Sequence, residues 1–174
     1  FYKGQASFNG NLLMQPTGLT GGGVMTLDKA EVNSNLFTYN ASWFGSDTAS
    51  LNVFEAGGAI AFKANNLRTH IDMKMREGVF HSNGAGSFVE LPANQYICYI
   101  DKLKWAMDEE LLTLGDEVAS SSLGSEFISV HPHQDSLNFI ATTANYSLKD
   151  YIIHANGVQD IAVADAIIYP DSGI

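Results

Sequence analysis

The chain has 174 residues, of which 45% are hydrophobic and 11% aromatic, enough apolar material to bury a substantial core and too much for a disordered segment. Only nine Lys and Arg stand against nineteen Asp and Glu, a formal charge of −10, and the basic residues are scattered. That balance argues against nucleic acid as a partner, because phosphate-backbone binding needs clustered cations.

In chain order, period-2 alternation of apolar and polar residues predicts strands over 11–15, 24–27, 31–39, 50–54, 59–64, 70–75, 86–91, 96–103, 111–114, 127–130, 137–142, 151–155 and 158–168. Turn signals separate them: Gln15-Pro-Thr-Gly18, Gly21-Gly-Gly23, Gly57-Gly58, Ser82-Asn-Gly-Ala-Gly86, Leu114-Gly-Asp116 and Asn156-Gly157. The segment 103–114 contains good helix formers, but Leu103, Trp105 and Met107 alternate, as do Leu112 and Leu114 beyond the Asp108-Glu-Glu110 turn. A hairpin is therefore preferred there. Residues 120–126 read as a loop. The runs 96–100 and 161–168 are apolar on both faces, so alternation does not say which face is wet there, and burial on both would mean a second layer over the sheet.

A phrase recurs: a small or apolar residue, an aromatic or polar one, then an acidic turn. It occurs as Ala41-Ser-Trp43-Phe-Gly-Ser-Asp47, Leu67-Arg-Thr69-His-Ile-Asp72, Leu103-Lys-Trp105-Ala-Met-Asp108 and Ala144-Asn-Tyr146-Ser-Leu-Lys-Asp150. Repetition favours a stack of hairpins over a closed enzyme domain, and the uneven spacing favours hairpins of unequal length over strict solenoid rungs. The fold expected is all-β: a single domain of elongated, twisted antiparallel hairpins, jelly-roll or solenoid-like, with little or no helix. The first residue is Phe and the last four are Asp171-Ser-Gly-Ile174, which reads as a fragment of a longer protein. The longest apolar stretch, 161–169, is broken by Asp165 and is too short to span a bilayer as a helix, so no transmembrane segment is expected.

Several runs resemble the hairpin repeats of bacterial envelope proteins of the lipopolysaccharide-transport (OstA-like) and AsmA-like type. They are Gly78-Val-Phe-His-Ser-Asn-Gly84, Ser87-Phe-Val-Glu-Leu91, Tyr99-Ile-Asp-Lys-Leu-Lys-Trp105, Leu111-Leu-Thr-Leu-Gly115, Phe139-Ile-Ala-Thr-Thr-Ala-Asn-Tyr146 and Ile152-Ile-His-Ala-Asn-Gly-Val158. The stretch beginning Ala164-Asp-Ala-Ile-Ile-Tyr169 is also similar to parts of large uncharacterised bacterial surface or periplasmic proteins. The resemblance implies a twisted open sheet with an apolar concave face suited to acyl chains, edges free to stack head to tail, and a periplasmic or surface-exposed setting in the bacterial cell envelope. Gly21-Gly-Gly23 and the segment 95–99 have no counterpart in it.

No nucleophile or phosphate-loop motif is present: there is no Gly-x-Ser-x-Gly, and Cys98, the single cysteine, reads as a core thiol. The chain is therefore read as non-enzymatic and without a cofactor. His131-Pro-His-Gln-Asp135 would set two imidazoles and a carboxylate on one face if extended, a transition-metal set, whereas Pro132 favours a solvated turn. His70 with Asp72 is a lesser pair of the same kind. Trp43, Trp105 and Tyr146 are the candidate ligand-binding aromatics, for a lipid groove or a carbohydrate platform, with core packing as the competing role. Three functions follow in order: a structural or lipid-conduit segment of an envelope protein, with possible self-association through sheet edges; a jelly-roll module that binds or cleaves glycans; and a viral or phage structural protein.

Overall fold

A computed structural model describes residues 1–84, 87–115 and 124–170, and places them in sixteen antiparallel strands preceded by a 3-10 turn at Tyr2–Gly4. The expected all-β class holds, and no α-helix occurs among the described residues. The first five strands, β1 (Ser7–Gln15), β2 (Gly18–Thr26), β3 (Ala30–Tyr39), β4 (Trp43–Phe54) and β5 (Ile60–Asp72), form an up-and-down meander.

At β5 the sheet divides. Asn66, in the left-handed region at φ 55°, bends the strand, a conformation that asparagine tolerates better than most residues. Beyond the bend β5 pairs with β6 (Glu77–Ser82); before it, Lys63 and Ala64 pair with β7 (Val89–Leu91). The remaining strands are β8 (Tyr96–Tyr99), β9 (Lys102–Ala106), β10 (Leu111–Leu114), β11 (Ser125–Ser129), β12 (Asn138–Ala141), β13 (Thr143–Ser147), β14 (Ile153–Asn156), β15 (Ile161–Val163) and β16 (Ala166–Ile168). They are laid down alternately on two leaves. One leaf runs β6-β9-β10-β13-β14 and the other β7-β8-β11-β12-β15-β16, so each successive four-strand rung adds one hairpin to each leaf.

The recurring phrase marks the first leaf. Its second, third and fourth copies lie on β5, β9 and β13, and each runs into a four-residue turn whose first residue, Met73, Met107 or Leu148, is buried. The fourth residue of each turn, Arg76, Glu110 or Tyr151, takes a positive φ of 55°, 55° or 59°. Successive turns are hydrogen-bonded: the Met107 amide donates to the Arg76 carbonyl at 3.0 Å, and the Leu148 amide to the Glu110 carbonyl at 2.8 Å. The first copy, in β4, is followed by no such turn, and its Asp47 lies within the strand.

Alternation aims one row of each strand between the leaves. Phe62, Phe80, Leu103, Leu112, Phe127 and Tyr146 are fully buried in one continuous core. Tyr146 joins the leaves directly: its ring stacks on Phe62 at 6.4 Å, and its hydroxyl donates to the Ala61 carbonyl at 3.3 Å. Asn94, in the β7–β8 turn, adds a second tie by donating its side-chain N–H to the Tyr151 carbonyl at 2.8 Å.

Several expectations are corrected. Gly21-Gly22-Gly23 is not a turn but the middle of β2, where the β2–β3 register shifts and backbones crowd; a Cβ on Gly22 would lie 2.3 Å from the Asn35 carbonyl oxygen. Residues 60–64 and 70–72 of two expected strands belong to one bent strand, β5, and residues 73–75 form the turn after it. The run 96–103 spans two strands because the chain changes leaf between β8 and β9. Ser125 and Glu126 belong to β11 rather than a loop, while residues 120–123 lie outside the described residues, as do Ala85 and Gly86 of an expected turn. The two runs left open are wet on one face among the described residues: Tyr99 is exposed, and so are Ile167 and Ile168.

Candidate functional site

A groove of about 660 Å3 lies on the outer face of β3, β4, β5 and β6. It opens where β3 and β4 part. Their pairing is continuous to Asn33 with Ser50 and resumes at Thr38 with Gly45. Between those points side chains tie the strands instead: the Ser34 and Ser46 hydroxyls are hydrogen-bonded at 2.7 Å, and the Thr48 carbonyl, 2.8 and 2.9 Å from them, accepts the remaining proton. Gly45 leaves the floor of the groove low, and it cannot be replaced freely: a Cβ there would lie 2.6 Å from the Thr69 carbonyl oxygen.

Trp43 is half-buried at the rim, and its ring lies tilted against that of His70 of β5, with centroids 4.9 Å apart. Its backbone is held from the other side by Tyr2, whose hydroxyl donates to the Trp43 carbonyl at 2.9 Å and whose ring stacks on Phe44 at 5.9 Å. Burial pushes the Tyr2 hydroxyl up to about 12, so this donor stays protonated at neutral pH. On the same outward face, two residues before His70, stands the exposed Arg68; its register partner on β6 is His81, whose partner on β9 is Lys102. Asp47 is the one carboxylate among the lining residues.

Of the aromatic trio, only Trp43 reaches this surface. Trp105 (4% exposed) and Tyr146 (0% exposed) are core residues of β9 and β13, and neither borders the groove. The structure therefore does not bring the three together; the inward row of each strand claims two of them. The His131–Asp135 segment is a turn between β11 and β12, with the Gln134 amide donating to the His131 carbonyl at 3.1 Å. The imidazoles lie 5.6 Å apart, but the His133 amide donates to His131 Nδ1 at 3.1 Å, which occupies one of the ring nitrogens. No group of three or more His, Cys, Asp or Glu able to hold a metal ion occurs among the described residues. In the lesser pair, His70 turns to the groove, whereas an Asp72 carboxylate oxygen accepts from the Lys74 and Met75 amides at 2.8 and 2.9 Å.

Sequence reasoning missed Arg68 and His81 as groove residues. Strand alternation on 67–72 and 78–82 puts both on the outward row, but only the pairing of β5 with β6 sets them side by side. No helix among the described residues is long and apolar enough to cross a membrane. No protein-family model matches the chain, and no curated protein matches its sequence.

Proposed function

We propose that this chain is a non-catalytic structural module, a scaffold segment that extends by pairing at its sheet edges, with the bacterial cell envelope as its setting. The observation that carries the reading is the set of open edges: β1 pairs only with β2, β14 only with β13 and β16 only with β15 among the described residues. Natural proteins cover, charge or shorten such edges to avoid association. Here β1 exposes Leu12, Leu13 and Met14, the last at 81%, and the β16 end exposes Ile167, Ile168 and Tyr169. The hydrogen-bonded succession of turns on the first leaf supplies a pattern by which a further rung adds.

The lipid-conduit form of this reading draws on Phe139, Ile153 and Ile161, which are only partly covered at the last rung. Elsewhere the space between the leaves is filled by side chains, so the scaffold form is favoured. Static light scattering against concentration tests it. Mass should rise by self-association, and Leu13→Lys combined with Ile168→Lys should suppress the rise; a monomer at every concentration overturns the proposal. A second reading, a carbohydrate-binding module, is favoured by the half-exposed Trp43 at the rim of a groove of mixed polar and apolar lining.

A further inference from the structure

The groove is lined by one arginine, Arg68, one carboxylate, Asp47, and the imidazoles of His70 and His81. Of the nine Lys and Arg, Lys29, Lys63, Arg76 and Lys104 are each ion-paired with a carboxylate. The Arg68 side chain makes no hydrogen bond or ion pair among the described residues. It stands in one cross-strand row with His81 and Lys102, and on one strand face with His70. Cross-strand neighbours in such a row lie about 5 Å apart, and alternate residues along a strand about 7 Å, so Arg68, His81 and His70 share a patch the size of one sugar unit.

The rest of the lining mixes amide, hydroxyl, carboxylate and indole groups with the apolar side chains of Leu36 and Val79. Asn35 and Thr38 face the space from β3 and Asp47 from β4, and Trp43 presents the part of its ring not covered by His70. Hydroxyl-rich ligands use such a mixture: hydrogen bonds to amides and carboxylates, and contact of a sugar's C–H face with an aromatic ring. The volume of about 660 Å3 lies in the ordinary range for small-ligand sites.

We propose that this groove binds an anionic saccharide, with the pyranose ring against Trp43 and the carboxylate, sulfate or phosphate substituent held by the Arg68 guanidinium. Arginine suits the role because its planar fork of N–H donors meets an oxyanion with two parallel hydrogen bonds, which a lysine cannot reproduce. This inference rests on the carbohydrate-binding reading and adds the ligand's charge to it.

The test is a glycan array of matched neutral, uronate-, sulfate- and phosphate-bearing oligosaccharides, followed by calorimetry on the best binder of each class. Anionic members should be retained, with the preferred substituent identified by the class, and neutral counterparts should bind at least about tenfold more weakly, the loss of one charge-assisted contact. Arg68→Ala should cost the anionic ligands the same factor and leave neutral ones unchanged, while Arg68→Lys recovers part of it. Trp43→Ala should abolish binding of both classes, with the urea midpoint checked to show that the fold is retained. Equal binding of neutral and anionic partners, or indifference to Arg68→Ala, overturns the inference while leaving the carbohydrate reading standing. An array silent in every class overturns both.

Discussion

Replacing Tyr146 separates a core tie from a ligand contact. The ring is fully buried and stacks on Phe62 at 6.4 Å, and its hydroxyl reaches the Ala61 carbonyl on the bent strand at 3.3 Å. Tyr146→Phe removes only that hydrogen bond. A net contribution of about 0.5–1.5 kcal/mol is usual, and the long distance puts the expected loss near the lower end, about 0.5 kcal/mol. Tyr146→Ala removes the ring as well and leaves a cavity between the leaves, for which large aromatic truncations cost about 3–5 kcal/mol. Urea unfolding monitored by tryptophan fluorescence measures both, with the slope m held constant between variants so that midpoint shifts report stability. A Tyr146→Ala loss below about 1 kcal/mol would refute the packing of the two leaves on this residue. A Phe variant as damaged as the Ala variant would place the energy in the hydroxyl rather than the ring.

Three further outcomes follow from local geometry. Cys98 is fully buried and burial pushes its thiol well above the usual range, so a thiol reagent should label the native protein negligibly and the urea-unfolded protein fully; rapid native labelling would contradict the buried position. Gly22→Val should destabilise by about 1–3 kcal/mol, since its Cβ would meet the Asn35 carbonyl oxygen at 2.3 Å in backbone that cannot swing aside; an unchanged urea midpoint would contradict the crowding. The Met75 amide, with help from the Lys74 amide, holds the Asp72 carboxyl below its ordinary range. A depressed folded value stabilises above the unfolded pKa, and that contribution disappears as pH falls through the folded value. Between about pH 6 and about pH 3 the wild type should therefore lose more stability than Asp72→Asn, measured by urea midpoints at both pH values; parallel losses would show that the turn amides do not engage the carboxylate.

Much of the fold is legible in residues. Leu111–Leu114 is a strand with the bounds that its alternation predicts, and Trp105 and Tyr146 fall on inward rows because each lies two residues from another buried residue. The repeated phrase locates three of the turns that open each rung, since an acidic residue at or near a strand end accepts turn amides or faces water. Other features are not local. The bend at Asn66, the three glycines inside β2 and the change of leaf between Tyr99 and Lys102 follow from how the sheet must divide and fold over its own core. The groove was the least legible part. Its hollow depends on β3 and β4 parting between residues 33 and 38, and on Gly45, a residue that reads only as turn-prone or small in sequence.

What the sequence determined alone was the class: period-2 alternation with frequent turn residues admits strands and excludes helices, because side-chain direction along an extended chain is set residue by residue. Tertiary structure decided which strands meet, which aromatics the core would take and which polar residues would share a surface. Register is the reason. Arg68, His81 and Lys102 are distant in the chain, and nothing in any one strand specifies that they stand in a single row until β5, β6 and β9 are paired.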